Sequence, residues 1–202
     1  MKYLAIDTSG KSLTIILNSG EKIYSVHDDN CSFRHSVELM PRVEELAEKS
    51  GMDFNDLDFF AAVVGAGSFT GIRIGVATIK ALCYCYKKPC VNITSFDTIA
   101  YNEKGGKVLS LIDAKHGGFY VCGYDDLKVV IEPAYLMKEQ VEELIKEFIP
   151  LSFEEVSGLD VKVVSSLEGL KNAIDNKCHL KSYDYDKIEP LYVRKSQAEE
   201  GR

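Results

Sequence analysis

The residues with the clearest chemical potential lie in VVGAGSFTGIRIG, Val63 to Gly75. A short apolar run enters a glycine-rich loop and a helix-like run leaves it, an arrangement that can receive phosphate on backbone amides. The spacing fits neither familiar version. A Walker A loop, G-x-x-x-x-G-K-[ST], would need glycine where Thr70 stands and a lysine after it. A dinucleotide fingerprint, G-x-G-x-x-G, is met at Gly65 and Gly67. Its third glycine, Gly71, comes one residue late, and no acidic residue follows at 85–90 to hold a ribose hydroxyl. Ser68 is no nucleophile elbow, because G-x-S-x-G would need glycine in place of Phe69. His27, His35, His116 and His179 are scattered, with no acidic pair arranged around them. Cys83, Cys85 and Cys90 match no common zinc spacing and read as buried, reduced thiols. Neither a metal site nor a cofactor is expected.

Periodicity supplies the elements that hold this loop. Tyr3–Ile6, Leu13–Leu17 and Ile23–Val26 read as three strands joined by turns short enough to force antiparallel pairing. Ser32 is placed to cap a helix running from Phe33 to Lys49, its apolar stripe traced by Val37, Met40, Val43 and Ala47 and widened by Leu39 and Leu46. Pro41 lies inside it and removes one backbone donor. Phe59–Val64 is apolar throughout, as a strand covered on both faces must be. A helix over Thr70–Tyr86, a strand at Val91–Thr94 and a short helix from Ser95 to Tyr101 follow. NEKGGK, Asn102 to Lys107, is polar and marks a boundary.

The second half loosely echoes the first. Val108–Ile112 and Phe119–Tyr124 flank a turn at His116–Gly118, and Val129–Ile131 is a further strand. A helix spans Lys138–Phe148, Val161–Val164 is a strand, Leu167–Asp175 is a short helix and Ile188–Arg194 is extended. The division expected is residues 1–102 as an N-terminal lobe, 103–194 as a smaller C-terminal lobe and 195–202 as a polar tail.

The helix behind the glycine loop is unusual. From Ile72 to Cys85 its only charges are Arg73 and Lys80, and Gly71, Gly75 and Ala81 leave room for another backbone. A surface helix of a lone protein shows a broad polar face. Two readings stay open: a helix buried in its own core, or one packed on its sheet on one side and on a partner protein on the other. With 24 basic and 31 acidic residues among 202, a net charge of −7, the chain is a poor nucleic-acid binder by itself. No apolar run reaches the roughly 20 residues that span a bilayer. MKYLAIDTSG turns polar too early for a signal peptide. A cytoplasmic protein is expected.

LAIDTS, RHSVELMPRVEEL, GAGSFTGIRIGVATIKAL, VNITSFDTIA, LIDAKHGGFYVCGYD and PLYVR together resemble the TsaB (YeaZ) family over nearly the whole chain; Ala66 stands where the family loop has proline. The resemblance implies an α/β fold of the actin-like ATPase, ribonuclease H-like type, with two related lobes and mixed sheets. It implies a non-catalytic, scaffolding role in placing threonylcarbamoyl on the adenosine beside the tRNA anticodon. The implied partners are TsaD, TsaE and a second copy in a homodimer, with tRNA met only through the complex. Partner contacts are expected on the two N-lobe helices, at His35, Leu39, Arg42, Ile72, Arg73, Val76, Ile79 and Lys80. The catalytic relative holds a metal through H-x-x-x-H, and the matching positions here are Ser95 and Ile99. Asp7, Thr8 and Ser9 resemble the first phosphate loop of actin-like ATPases. With Gly67 and Ser68 they are the candidates for weak nucleotide or anion binding. A small ATPase is the alternative function, and a glycoprotease-like peptidase a weaker one.

Overall fold

The computed structural model describes residues 1–115 and 117–194. His116, in the expected turn, and the tail 195–202 lie outside the described residues. The chain forms two units, Met1–Thr94 with Ile174–Leu191, and Ser95–Ala173 with the segment from Tyr192.

In the first unit, β1 (Lys2–Asp7), β2 (Leu13–Ser19) and β3 (Ile23–Asp28) form an antiparallel meander, followed by α1 (His35–Ser50), β4 (Phe59–Val63), α2 (Phe69–Tyr86) and β5 (Cys90–Ile93). The sheet order is β3-β2-β1-β4-β5, with β4 parallel to both β1 and β5. All five residues of β4 are buried, as its unbroken apolar sequence requires. One sheet face, including Leu4, Ile6, Ile15, Phe60 and Ala62, packs on Leu39, Val43 and Leu46 of α1 and on Ile72, Val76, Ile79 and Cys83 of α2. The opposite face carries Tyr3 stacked on Phe59, 5.2 Å between ring centroids. The returning segment is tied on by the Leu191 amide, which donates to the Val64 carbonyl at 2.7 Å, and by a bridge between Cys90 and Ser182.

The second unit begins with α3 (Ser95–Ala100), then β6 (Lys107–Asp113), β7 (Gly118–Asp125), β8 (Lys128–Met137), α4 (Lys138–Leu144), β9 (Ile149–Ser152), β10 (Lys162–Val163) and α5 (Ser166–Lys177). Its sheet runs β10-β9-β6-β7-β8, with β6, β7 and β8 antiparallel and β9 parallel to β6 and β10. Read from the first strand of each unit, this is the same topology twice.

The structure moves several expected boundaries. Residues 95–102, assigned to the first lobe, belong with the second sheet. Ser110 Oγ donates to the Phe96 carbonyl at 2.9 Å and the Tyr124 hydroxyl to the Asp97 carboxylate at 3.0 Å, both buried. Strand β9 was not expected, because the helix was extended to Phe148 and Pro150 breaks the pattern. The proline is tolerated because β10 pairs only with Leu151 and Ser152, so Pro150 has β6 as its single neighbour. Pro133 also hid the length of β8, which stands at the sheet edge, where a missing donor costs no ladder bond between strands.

Candidate partner-binding face

The phosphate-loop candidates come together at the C-terminal end of β1. Asp7, Thr8 and Ser9 are buried, and the Ser68 amide donates to the Ser9 carbonyl at 2.7 Å. Ser68 caps α2 by accepting from the Gly71 amide at 3.2 Å. Asp7 accepts from both the amide and the hydroxyl of Ser9, at 2.8 and 2.7 Å. Burial pushes the Asp7 carboxyl above its ordinary range, and those Ser9 bonds pull it only partly back.

The glycines explain why these residues are so close. A Cβ on Gly67 would lie 2.2 Å from the Ser9 carbonyl oxygen, one on Gly71 2.1 Å from the Thr8 carbonyl oxygen, and one on Gly75 2.5 Å from Thr8 Oγ1. Thr8 Oγ1 itself donates to the Gly71 carbonyl at 2.7 Å. The glycine edge of α2 therefore receives its own chain, the turn after β1, and not a foreign backbone. This corrects the reading in which Gly71 and Gly75 make room for a partner's backbone.

The partner candidates divide between two sides of the helices. His35, Leu39, Ile72, Val76 and Ile79 are buried in the chain's own core. They cannot touch a partner directly, and their assignment is corrected. His35 is held by the Ser12 carbonyl at 3.1 Å from Nε2. Arg42 is half-exposed in a chain of ion pairs, Arg34–Glu38–Arg42–Glu45–Lys49, along one flank of α1. Arg73 is exposed and lies over the Phe69 ring, 3.8 Å from its centroid. Lys80 is partly exposed, 3.8 Å from Asp186.

The solvent side of α1 is not polar throughout. The core stripe is His35, Leu39, Val43 and Leu46, whereas Val37 is 70% exposed and Met40 and Pro41 are exposed beside it. The helix thus carries two apolar stripes, and the expected one mixed them. On α2 the outward positions are Phe69, Thr70, Arg73, Ala77, Ala81, Tyr84 and Cys85, with no acidic residue among them. Cys85 is exposed, not buried as expected, because it lies opposite Cys83 on the helix. Both helices cover one face of the same sheet. Ala47 of α1 and Tyr86 of α2 line a shared shallow depression with Gly51, Met52, Asp53 and Phe54. The exposure of Val37, Met40 and Ala77 was legible once the core stripe was phased correctly.

Ser95 and Ile99 are buried, with hydroxyl and hydrocarbon side chains that make no metal pair. Among the described residues no group of three or more His, Cys, Asp or Glu side chains could hold a metal ion. His27 bonds Thr14 Oγ1 at 2.9 Å and Asp29 at 2.7 Å. No helix among the described residues is long and apolar enough to cross a membrane.

Comparison with known proteins matches this arrangement to one group. The family model described as TsaD: tRNA N6-adenosine threonylcarbamoyltransferase matches residues 21–152. The chain is similar to the tRNA threonylcarbamoyladenosine biosynthesis protein TsaB of Bacillus subtilis, 31% identical over 153 residues, covering 73% of this chain and 67% of that protein. It is similar to the protein of the same name from Escherichia coli K12, 28% identical over 164 residues, covering 74% and 70%. Its fold matches YeaZ from Pseudomonas aeruginosa with a TM-score of 0.78 at 19% identity, over 95% of this chain and 99% of that one. On these matches, and on a topology repeated in both units, the chain belongs to the TsaB (YeaZ) family, with the actin-like, ribonuclease H-like fold.

Proposed function

We propose that the chain is a non-catalytic subunit in the biosynthesis of threonylcarbamoyladenosine on tRNA, and that it binds a TsaD-type protein through the outward faces of α1 and α2. The observation that carries this reading is the second apolar stripe of α1, Val37, Met40 and Pro41, beside an outer face of α2 without acidic residues. A helix apolar on two sides is one built for neighbours on two sides. Because the TsaD family model matches residues 21–152 of this chain, a TsaD-type partner presents an equivalent helix pair. Two like faces then meet in a near two-fold arrangement. TsaE joins the assembled pair, a second copy competes for the same face, and tRNA is reached through the complex, consistent with a net charge of −7. Ser95 and Ile99 in place of the two histidines support a role without chemistry of its own.

The test is binding of a TsaD-type protein from the same organism, measured by calorimetry. Val37→Glu and Ala77→Glu change exposed positions and leave the isolated chain folded, yet abolish the complex. Val76→Asp places a charge in the core and unfolds the chain instead. Wild-type affinity in both surface variants would refute the proposed face.

A further inference from the structure

Charge is unevenly spread along the chain. Of 202 residues 31 are acidic, yet residues 59–96 contain none, and they hold Arg73, Lys80, Lys87 and Lys88. The last two mark the exit of α2. Lys87 closes the helix in the left-handed region, with φ of +53°, and its amide donates to the Cys83 carbonyl. The returning segment meets this exit along the edge of the first sheet. Cys90 and Ser182 exchange backbone hydrogen bonds, each 2.9 Å long, so Lys181 and Tyr183 flank that bridge. Tyr185 meets Tyr84 of α2 edge-on, 4.7 Å between ring centroids.

Basic and aromatic side chains therefore gather at one edge. Tyr183 is 68% exposed. The two carboxylates beside it are already neutralised, Asp184 by Lys187 at 2.9 Å and Asp186 by Lys80 at 3.8 Å. Lys87, Lys88 and Lys181 pair with no carboxylate among the described residues, so the edge keeps a surplus of positive charge. Such a surface attracts an anion. Lysine is depleted at protein interfaces. Lysines that neutralise phosphates beside a ring on which a base stacks are instead the usual grip on single-stranded nucleic acid. A net charge of −7 keeps the free chain from holding RNA by itself. It does not cancel a local cluster once another subunit brings the RNA close. We propose that this edge receives an unpaired stretch of RNA, with phosphates on Lys87, Lys88 and Lys181 and a base on Tyr183. This rests on the reading above, in which tRNA is met in the complex, and adds the contact that this chain makes itself.

The measurement is binding of an unmodified tRNA transcript to the assembled complex with the TsaD-type protein, followed by fluorescence anisotropy over a salt series. Lys87→Gln with Lys88→Gln reduces the slope of log affinity against log salt by about 1.4, the value of two phosphate contacts on a single strand. Tyr183→Ala weakens binding about fivefold or more at fixed salt, the loss of one stacked base. Both variants keep the wild-type melting temperature and, by calorimetry, the wild-type affinity for the TsaD-type protein. Unchanged tRNA affinity and slope in both variants would overturn the proposal and leave the partner reading standing. If the variants instead lose the TsaD-type protein, the edge is a protein surface and RNA is the wrong occupant. If the wild-type chain forms no complex with the TsaD-type protein, the functional reading fails and the proposal with it.

Discussion

Replacing Gly75 by alanine distinguishes the two uses of a glycine in α2. In an unencumbered helix interior the change stabilises by up to about 1 kcal/mol. Here the new Cβ would lie 2.5 Å from Thr8 Oγ1. Thr8 is fully buried, and its hydroxyl is committed to the Gly71 carbonyl at 2.7 Å. Either α2 retreats, at about 1–3 kcal/mol for overpacking, or the hydroxyl turns away and loses its partner at about 1–3 kcal/mol. After the helix gain, a net loss of about 1–2 kcal/mol is expected, roughly 2–8 °C in melting temperature at this chain length. In a Thr8→Ala background the obstacle is gone, and the nearest remaining atoms, Ile6 Cγ2 and Thr8 Cβ, stand 3.7 Å away. There Gly75→Ala stabilises, and the double-mutant cycle changes the sign of the substitution. Gly71→Ala is the internal control. Its Cβ meets the Thr8 backbone carbonyl at 2.1 Å, which no side-chain truncation relieves. Urea and thermal unfolding followed by circular dichroism read all of these. If Gly75→Ala raises stability in the wild-type background and weakens only partner binding, the glycine serves the partner and the packing argument is refuted.

Two further predictions concern pH. Burial pushes the Tyr3 phenol up to about 12, with the Asn18 side chain offsetting part of the shift. Its folded value exceeds the unfolded one, near 10, so its contribution is complete below pH 10 and is lost as pH rises toward 12, by about 3 kcal/mol. Tyr3→Phe removes that dependence, and urea midpoints at pH 9 and 11.5 compare the two; parallel losses would refute it. Asp7 is also raised by burial, so ionising it opposes folding, and that penalty grows as pH rises through its folded value. Asp7→Asn keeps an oxygen for the Ser9 donors and is expected to be at least as stable as wild type at neutral pH. A fall in melting temperature at pH 7 that vanishes at low pH would show that the carboxylate is needed charged.

Much of the architecture was legible because short polar turns between apolar runs leave few topologies. The meander β1-β2-β3, the doubly covered β4 and the echo of one half in the other followed from that alone. The face of α1 was not legible by the same means. Val37, Met40 and Ala47 form as good a helical stripe as His35, Leu39, Val43 and Leu46, and a histidine inside the core stripe biases the choice against it. Periodicity finds apolar faces but does not rank them when a helix has two. The glycines of α2 misled for a related reason. Their spacing shows that a backbone comes close, and only the structure shows that it belongs to Thr8 and Ser9. The positive φ of Phe33 had no sequence signal at all, since Ser32 offered a better cap by composition and the observed cap position, Arg34, makes no side-chain capping bond.

The repeated topology also bears on why we propose the partner face for the first unit. There β4 and β5 are joined by α2, eighteen residues long, whose inner side covers the sheet and whose outer side leaves Thr70, Arg73, Ala77 and Ala81 exposed. In the second unit the equivalent strands β9 and β10 are joined by residues 153–161, which contain no helix. Val156, Leu159 and Val161 from that connection pack with Leu109, Leu111 and Val121. A nine-residue connection can cover a sheet but has no second side to offer. A helix of five turns does both, because its 3.6-residue repeat separates an inward stripe from an outward one. The two sheets share one strand order, and the longer crossover of the first supplies the outward helix face proposed above for a partner.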